Sequence, residues 1–193
     1  ENDGVSRQLA RYVKETGERY VDNLDIVMIY RVDRFLRGGD QLPFLKQNYP
    51  AVRITEMNEN YDHQHQDVKM RDGRQMGDLP DFMDFEYLRK NTAMNLSVLA
   101  NLAKSPIPPK DCIMDTKQLS NFTSLSWTKG KNERAKGYYV LVRETTSAQW
   151  QKKIFTSNTS IQLAYSKDNY FFGVEAVTGD GNESLPVVPK SIR

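Results

Sequence analysis

Ser105-Pro106-Ile107-Pro108-Pro109 divides this chain of 193 residues into two parts with different grammar. Three prolines in four residues do not continue a helix and favour extended backbone. The stretch reads as a domain boundary or a stiff linker, setting 1–105 apart from 106–193.

Immediately upstream, 82–104 is the clearest helix. Phe85, Leu88, Thr92, Leu96, Leu99 and Ala103 recur at steps of three and four and define one face. Tyr87, Met94, Val98 and Leu102 widen that stripe, which predicts a well-buried helix, with Asp81 or Asp84 capping its start. Further upstream, 5–19 carries Leu9 and Val13 among charges and predicts another helix. The apolar run 24–32 (LDIVMIYRV) predicts a buried strand, and 51–57 a shorter one. Strand, loop, strand, loop, long helix is the grammar of an α/β protein. Two strands and two helices are too few for a complete sheet, so 1–105 is expected to be the last part of such a domain.

Downstream of the prolines the helix signal disappears. Leu125-Ser126-Trp127, Tyr138-Tyr139-Val140-Leu141-Val142-Arg143, Ser160-Ile161-Gln162-Leu163 and 170–177 (YFFGVEAV) read as short alternating runs. Turn residues at 129–132, 167–169 and 179–182 separate them. This spacing predicts a β-sandwich of under roughly a hundred residues. Trp127 is expected in its core and Trp150 near a strand end, partly exposed.

The bulk numbers narrow the partners. Hydrophobic residues make up 38% and charged residues 27%, with a net charge of +2, which gives no reason to expect nucleic acid or an anionic membrane. The mixed-sign run 129–136 is most simply a solvated loop. No apolar run approaches the length of a membrane span, and the polar start of the chain shows no signal peptide. The single cysteine, Cys112, allows no internal disulfide and reads as a bystander in the linker.

Chemistry concentrates in Tyr61-Asp62-His63-Gln64-His65-Gln66-Asp67, which holds both histidines of the chain. Imidazole is the commonest zinc ligand and carboxylates are the usual co-ligands. A catalytic zinc needs at least three protein ligands plus an open position, so this loop is one edge of a site at most. An imidazole in a loop is also ordinary polar surface.

The two parts each resemble a known family. The proline stretch, Trp127, Tyr139, the strand at 170–177 and the turn Gly179-Asp180-Gly181-Asn182-Glu183-Ser184 together resemble a fibronectin type III-like domain. Four stretches of the first part carry a second match: Asp33-Arg34-Phe35-Leu36-Arg37-Gly38-Gly39-Asp40, Pro50-Ala51-Val52-Arg53-Ile54-Thr55-Glu56, Glu59-Asn60-Tyr61-Asp62-His63-Gln64-His65-Gln66, and the helix starting Asp84-Phe85-Glu86-Tyr87-Leu88. In order, these resemble the C-terminal third of a bacterial zinc exopeptidase of the leucyl aminopeptidase, glutamate carboxypeptidase and glutaminyl cyclase family. Some secreted members of that family end in a fibronectin-like domain.

That resemblance implies a hydrolase with two zinc ions, a bridging water and a glutamate general base. It implies a peptide substrate and a secreted or periplasmic location. The family's last histidine ligand corresponds to His63, with His65 as the alternative, and Asp67 follows four residues on. The earlier ligands and the base have no counterparts in this sequence. The chain is then expected to be inactive alone and to need the missing N-terminal part of the catalytic domain as its partner. Gln41 departs from the histidine usual there, and it carries no proton at neutral pH.

Other residues have two readings. Gly38, Gly39 and Asp40 form a substrate-side loop or an ordinary turn. Tyr61 either donates its hydroxyl to a tetrahedral intermediate or simply packs. Asp62 and Asp67 either orient the histidines or belong to a solvated acidic loop. At the level of the whole chain, the competitor to an aminopeptidase is a non-catalytic interaction module, or a carboxypeptidase or glutaminyl cyclase of the same family.

Overall fold

The first helix, α1 (Val5–Tyr20), packs against a long helix, α3 (Phe85–Lys104), and the second part of the chain is a β-sandwich. The computed structural model describes residues 3–30, 38–131 and 134–192. Between the two helices lie a short helix α2 (Gln41–Lys46), a hairpin of β1 (Lys69–Arg71) and β2 (Arg74–Met76), and a 3-10 turn, Pro80–Phe82.

The helical pair closes on Tyr12, Val13, Met94 and Val98, with Val21 beside them. Gly17 permits the close approach: a Cβ there would sit 2.5 Å from Ile26 Cδ1 and 2.7 Å from Met94 Cγ. Asp84 caps α3 as expected, its Oδ1 accepting from Tyr87 N at 2.9 Å. A cap of this kind contributes about 1 kcal/mol.

Three expectations for this part need correction. The segments 24–30 and 51–57 carry no ladder among the described residues, although they read as strands; residues 31 and 32 lie outside the described set. Apolar β-formers make a strand only when another backbone pairs with them. Burial nevertheless alternates along the first segment: Leu24, Ile26 and Met28 are half-buried, while Val27 and Ile29 are exposed. The buried face of α3 is also not the expected one. Met94, Val98 and Asn101 are buried, whereas Phe85, Leu88, Leu96 and Leu99 face outward, Leu99 at 66% exposure. A helix apolar on most sides has no unique stripe, and α1 reaches only one side of it. The expected α/β sheet is thus not formed among the described residues.

The sandwich is formed by β3 (Lys110–Asp115), β4 (Thr123–Thr128), β5 (Ala135–Glu144), β6 (Lys152–Thr156), β7 (Ser160–Leu163), β8 (Tyr170–Thr178) and β9 (Lys190–Ile192). One sheet has the order β7-β4-β3-β9 and the other β6-β5-β8. Their inner faces meet on Leu125, Trp127, Tyr138, Val140, Val142, Phe172, Val174 and Ala176. Burying each of the large apolar groups among these is worth roughly 1.5–3 kcal/mol. Cys112 sits in this core on β3 rather than in a linker, and burial pushes its thiol up to about 12, leaving it inert.

The sandwich is docked on α1 and not merely tethered. Strands β5 and β8 are buried on both faces, with Trp150 and Pro186 lying against Gly173 and side chains of α1 reaching the same region. Arg143 Nη2 reaches both carboxylate oxygens of Asp3 at 2.7 and 2.8 Å, and Arg11 Nε donates to Ala148 O at 2.8 Å. Trp150 lies beside the guanidinium groups of Arg11 and Arg143, while Phe171 stacks on Arg143 at 4.2 Å. Toward the other end of α1, Tyr12 donates to Glu183 O, and Lys153 on β6 bonds Glu15. Pro106 is buried, so the proline stretch is part of this packing.

Candidate functional site

The histidine loop is built from turns. His63 N and Gln64 N both donate to Asn60 O, and Asp62 N donates to Asn60 Oδ1 at 3.0 Å. Asp62 O accepts from Gly77 N at 3.0 Å, which ties the loop to the end of β2. Gly77 is required there: its φ is +105°, and a Cβ would lie 2.7 Å from Val68 Cα.

The His63 ring lies flat on Phe82, with centroids 3.6 Å apart and planes 4° apart. Stacking covers a ring face and leaves the edge, where both nitrogens sit, outside the contact. His63 is half-buried, and its ring is held by the residue that ends the 3-10 turn before α3. His65 differs. It is exposed, has φ +55°, and its backbone N donates to Asp78 Oδ2 at 3.1 Å. Among the described residues, ring packing orients the imidazole of His63 and not that of His65.

The neighbouring carboxylates pair with cations. Asp62 lies 3.7 Å from Arg74, and Asp67 lies 3.2 Å from Lys69. Tyr61 is exposed. Gly38 O accepts from Arg53 Nη1 at 2.7 Å, and Arg53 Nη2 lies 3.9 Å from Glu59, whose side chain is buried and accepts from Thr55 Oγ1. Arg53 therefore links the Gly38-Gly39-Asp40 loop to the base of the histidine loop. Asp40 stands at the start of α2 without a side-chain cap bond, and Gln41 Oε1 folds back against Gly39. Asp33 to Arg37 of the same motif lie outside the described residues. Sequence reading assigned no role to Arg53, Glu59, Phe82 or Gly77; only the positive-φ glycine had a signal of its own, as a turn residue.

A zinc site needs several ligands converging on one point. Among the described residues, no group of three or more His, Cys, Asp or Glu side chains converges in that way. The described residues do not fit a complete zinc centre. No described helix is long and apolar enough to cross a membrane.

No protein-family model matches the sequence. Curated relatives do. The chain is 41% identical over 190 residues to a "Probable zinc metalloprotease" of Leptosphaeria maculans, covering 98% of this chain and 44% of that protein. A "Probable zinc metalloprotease" of Pyricularia oryzae is 38% identical over 195 residues, covering 98% and 39%. These homologues are fungal, and the chain spans less than half of their length. Among solved structures, the fn3 domain of the human collagen alpha-1(XX) chain matches at 16% identity and TM-score 0.36, over 46% of this chain and 89% of that one. An Fn3-like protein from Clostridium thermocellum matches at 16% identity and TM-score 0.34, over 46% and 96%.

Proposed function

We propose that this chain is the C-terminal portion of a zinc-dependent exopeptidase, an aminopeptidase, in which 1–105 completes the α/β catalytic domain and 106–193 is a fibronectin type III-like sandwich. The observation that carries the reading is the alignment of nearly the whole chain with fungal proteins described as probable zinc metalloproteases. His63 supplies one metal ligand, and its stack on Phe82 presets the ring for that role. The other ligands of a two-zinc centre and the general base come from outside these residues. Zinc, when bound there, polarises the scissile carbonyl and activates water.

Gly38, Gly39, Asp40 and Tyr61 border the substrate, with the Arg53 link holding the glycine loop to the histidine loop. Asp62 and Asp67 shape the loop's charge. The exposed face of α3, with Val27 and Ile29, packs against the rest of the catalytic domain. Support for this last point is the apolar surface of Phe85, Leu88, Leu96 and Leu99, larger than a solvated helix of this size requires.

The test is the full-length protein. It should contain zinc and release N-terminal residues from peptides. His63→Ala should lose metal and activity, while His65→Ala should retain most of both, with losses of about 10–100-fold at most. A zinc-free full-length protein, or a His63→Ala variant with normal zinc and activity, would sink the reading.

A further inference from the structure

We infer that the sandwich is held on α1 by an ionic latch whose bolt is Lys153, and that the carboxylate-rich end of this latch loosens as the solution becomes alkaline. The inference does not depend on any metal chemistry. It starts from where the charges sit. Lys153 Nζ on β6 lies 2.5 Å from Glu15 of α1, 3.0 Å from Glu175 of β8, and 2.8 Å from Glu183 in the segment after β8. Arg19 of α1 joins from the other side, 2.7 Å from Glu15 and 3.4 Å from Glu183.

Three carboxylates thus share two cations, and the excess negative charge is buried. The side chain of Glu175 is 2% exposed and that of Glu183 9%. The remaining titratable neighbours are Tyr12 of α1, bonded to Glu183 O, and Tyr139 of β5, opposite Glu175 in the ladder. Burial pushes Tyr12 up to about 12, so it stays neutral. No third cation is bonded to the cluster among the described residues. The cluster is therefore balanced when one carboxyl keeps its proton, and carries surplus charge when none does.

Glu175 is the group that keeps it. Burial pushes its carboxyl up to about 8, against the pull of Lys153 and with the repulsion of Glu183 and Glu15. Lys153 stays charged: burial lowers its pKa, but Glu175 and Glu15 more than offset this and hold it above the ordinary lysine value. The folded chain thus retains a proton that the unfolded chain releases in the ordinary carboxylate range. Stability falls as pH rises from that range through about 8. At the opposite end of α1, Arg11 and Arg143 hold Asp3, with Trp150 beside Arg143. The crowded carboxylates Glu15, Glu175 and Glu183 lie at the other end, so release starts there.

Two measurements on the 193-residue chain test this. Thermal unfolding at about pH 6 and about pH 9 should show Tm falling at least roughly 5 °C further in the native sequence than in Glu175→Gln, which cannot ionise. Amide exchange, expressed as protection factors, should show the second half of α1 losing protection at the higher pH by about tenfold or more while its first half holds. Glu15→Gln is the second variant should Glu175→Gln fold poorly. It removes a charge that repels the Glu175 carboxylate and should move the transition to lower pH. Parallel Tm profiles in native and variant chains, equal loss of protection along α1, or an unmoved transition in Glu15→Gln would overturn the latch.

Discussion

The imidazole of His63 and the ring of Phe82 are parallel to within 4° at 3.6 Å, so the only half-buried histidine is positioned by an aromatic residue nineteen places downstream in the chain. Aromatic stacking contributes about 0.5–1.5 kcal/mol beyond buried area. Phe82→Ala should therefore speed amide exchange in the turn at 60–64 by roughly three- to tenfold, and Phe82→Tyr should not. Unchanged exchange in the alanine variant would show that the stack does not hold the loop.

The chain by itself should bind zinc weakly and without fixed stoichiometry, because one preset imidazole and an exposed neighbour cannot complete a tetrahedral shell. Calorimetry decides this. A tight one-to-one site formed by these residues alone would contradict the proposal that the other ligands come from elsewhere.

Gly77→Ala should destabilise the hairpin and the histidine loop together. The positive φ alone costs a non-glycine residue about 1–3 kcal/mol, and the new methyl group would meet Val68 backbone. Exchange of the β1–β2 amides and of Gly77 N, which donates to Asp62 O, would report the loss as one cooperative unit.

Cleaving the chain between Pro106 and Lys110 should yield two pieces that stay associated, since buried Arg143 bonds Asp3, Arg11 bonds Ala148 O, and Lys153 bridges Glu15 to buried Glu175. Arg143→Met should weaken that association by about 1–3 kcal/mol, the penalty of leaving its partners unsatisfied. Pieces that separate freely on size exclusion would show the contact to be unimportant.

On the far side of α3, Leu96→Glu combined with Leu99→Lys should leave the stability of this chain within about 0.5 kcal/mol, as for ordinary surface sites. In the full-length protein the same pair should be strongly destabilising. Equal tolerance in both would remove the proposed packing of this face against the remainder of the catalytic domain.

Periodicity reads helix existence well and helix environment poorly, and α3 shows why. The predicted span 82–104 matches Phe85–Lys104 closely. Its spacing could not say which apolar side faces α1, since Met94 and Val98 belong to one stripe and Leu96 and Leu99 to another. Strands β5 and β8 read as alternating runs, although their apolar residues are in fact nearly continuous. Continuous runs such as Tyr138 to Val142 are the mark of strands covered on both faces, and both strands are. Strands β3, β6 and β9 were missed because short charged segments such as Lys152–Thr156 show neither alternation nor an apolar run. That the histidine stretch forms a loop was legible, but its contact with Phe82 was not, because nothing local relates Phe82 to His63. The latch was illegible for the same reason: Lys153 meets Glu175 and Glu183 at separations of 22 and 30 residues, and Glu15 across most of the chain.

The pairing of β3 with β9 has a mechanical side. The two strands run parallel, with Ile113, Met114 and Asp115 opposite Lys190, Ser191 and Ile192. Tension applied between the proline stretch and residue 192 would draw β3 toward its beginning and β9 toward its end. The bonds between them would be loaded sideways and together, rather than opened singly from one end. A pull along that axis meets the sandwich in its stiff direction, so the β3–β9 edge resists as a seam under shear.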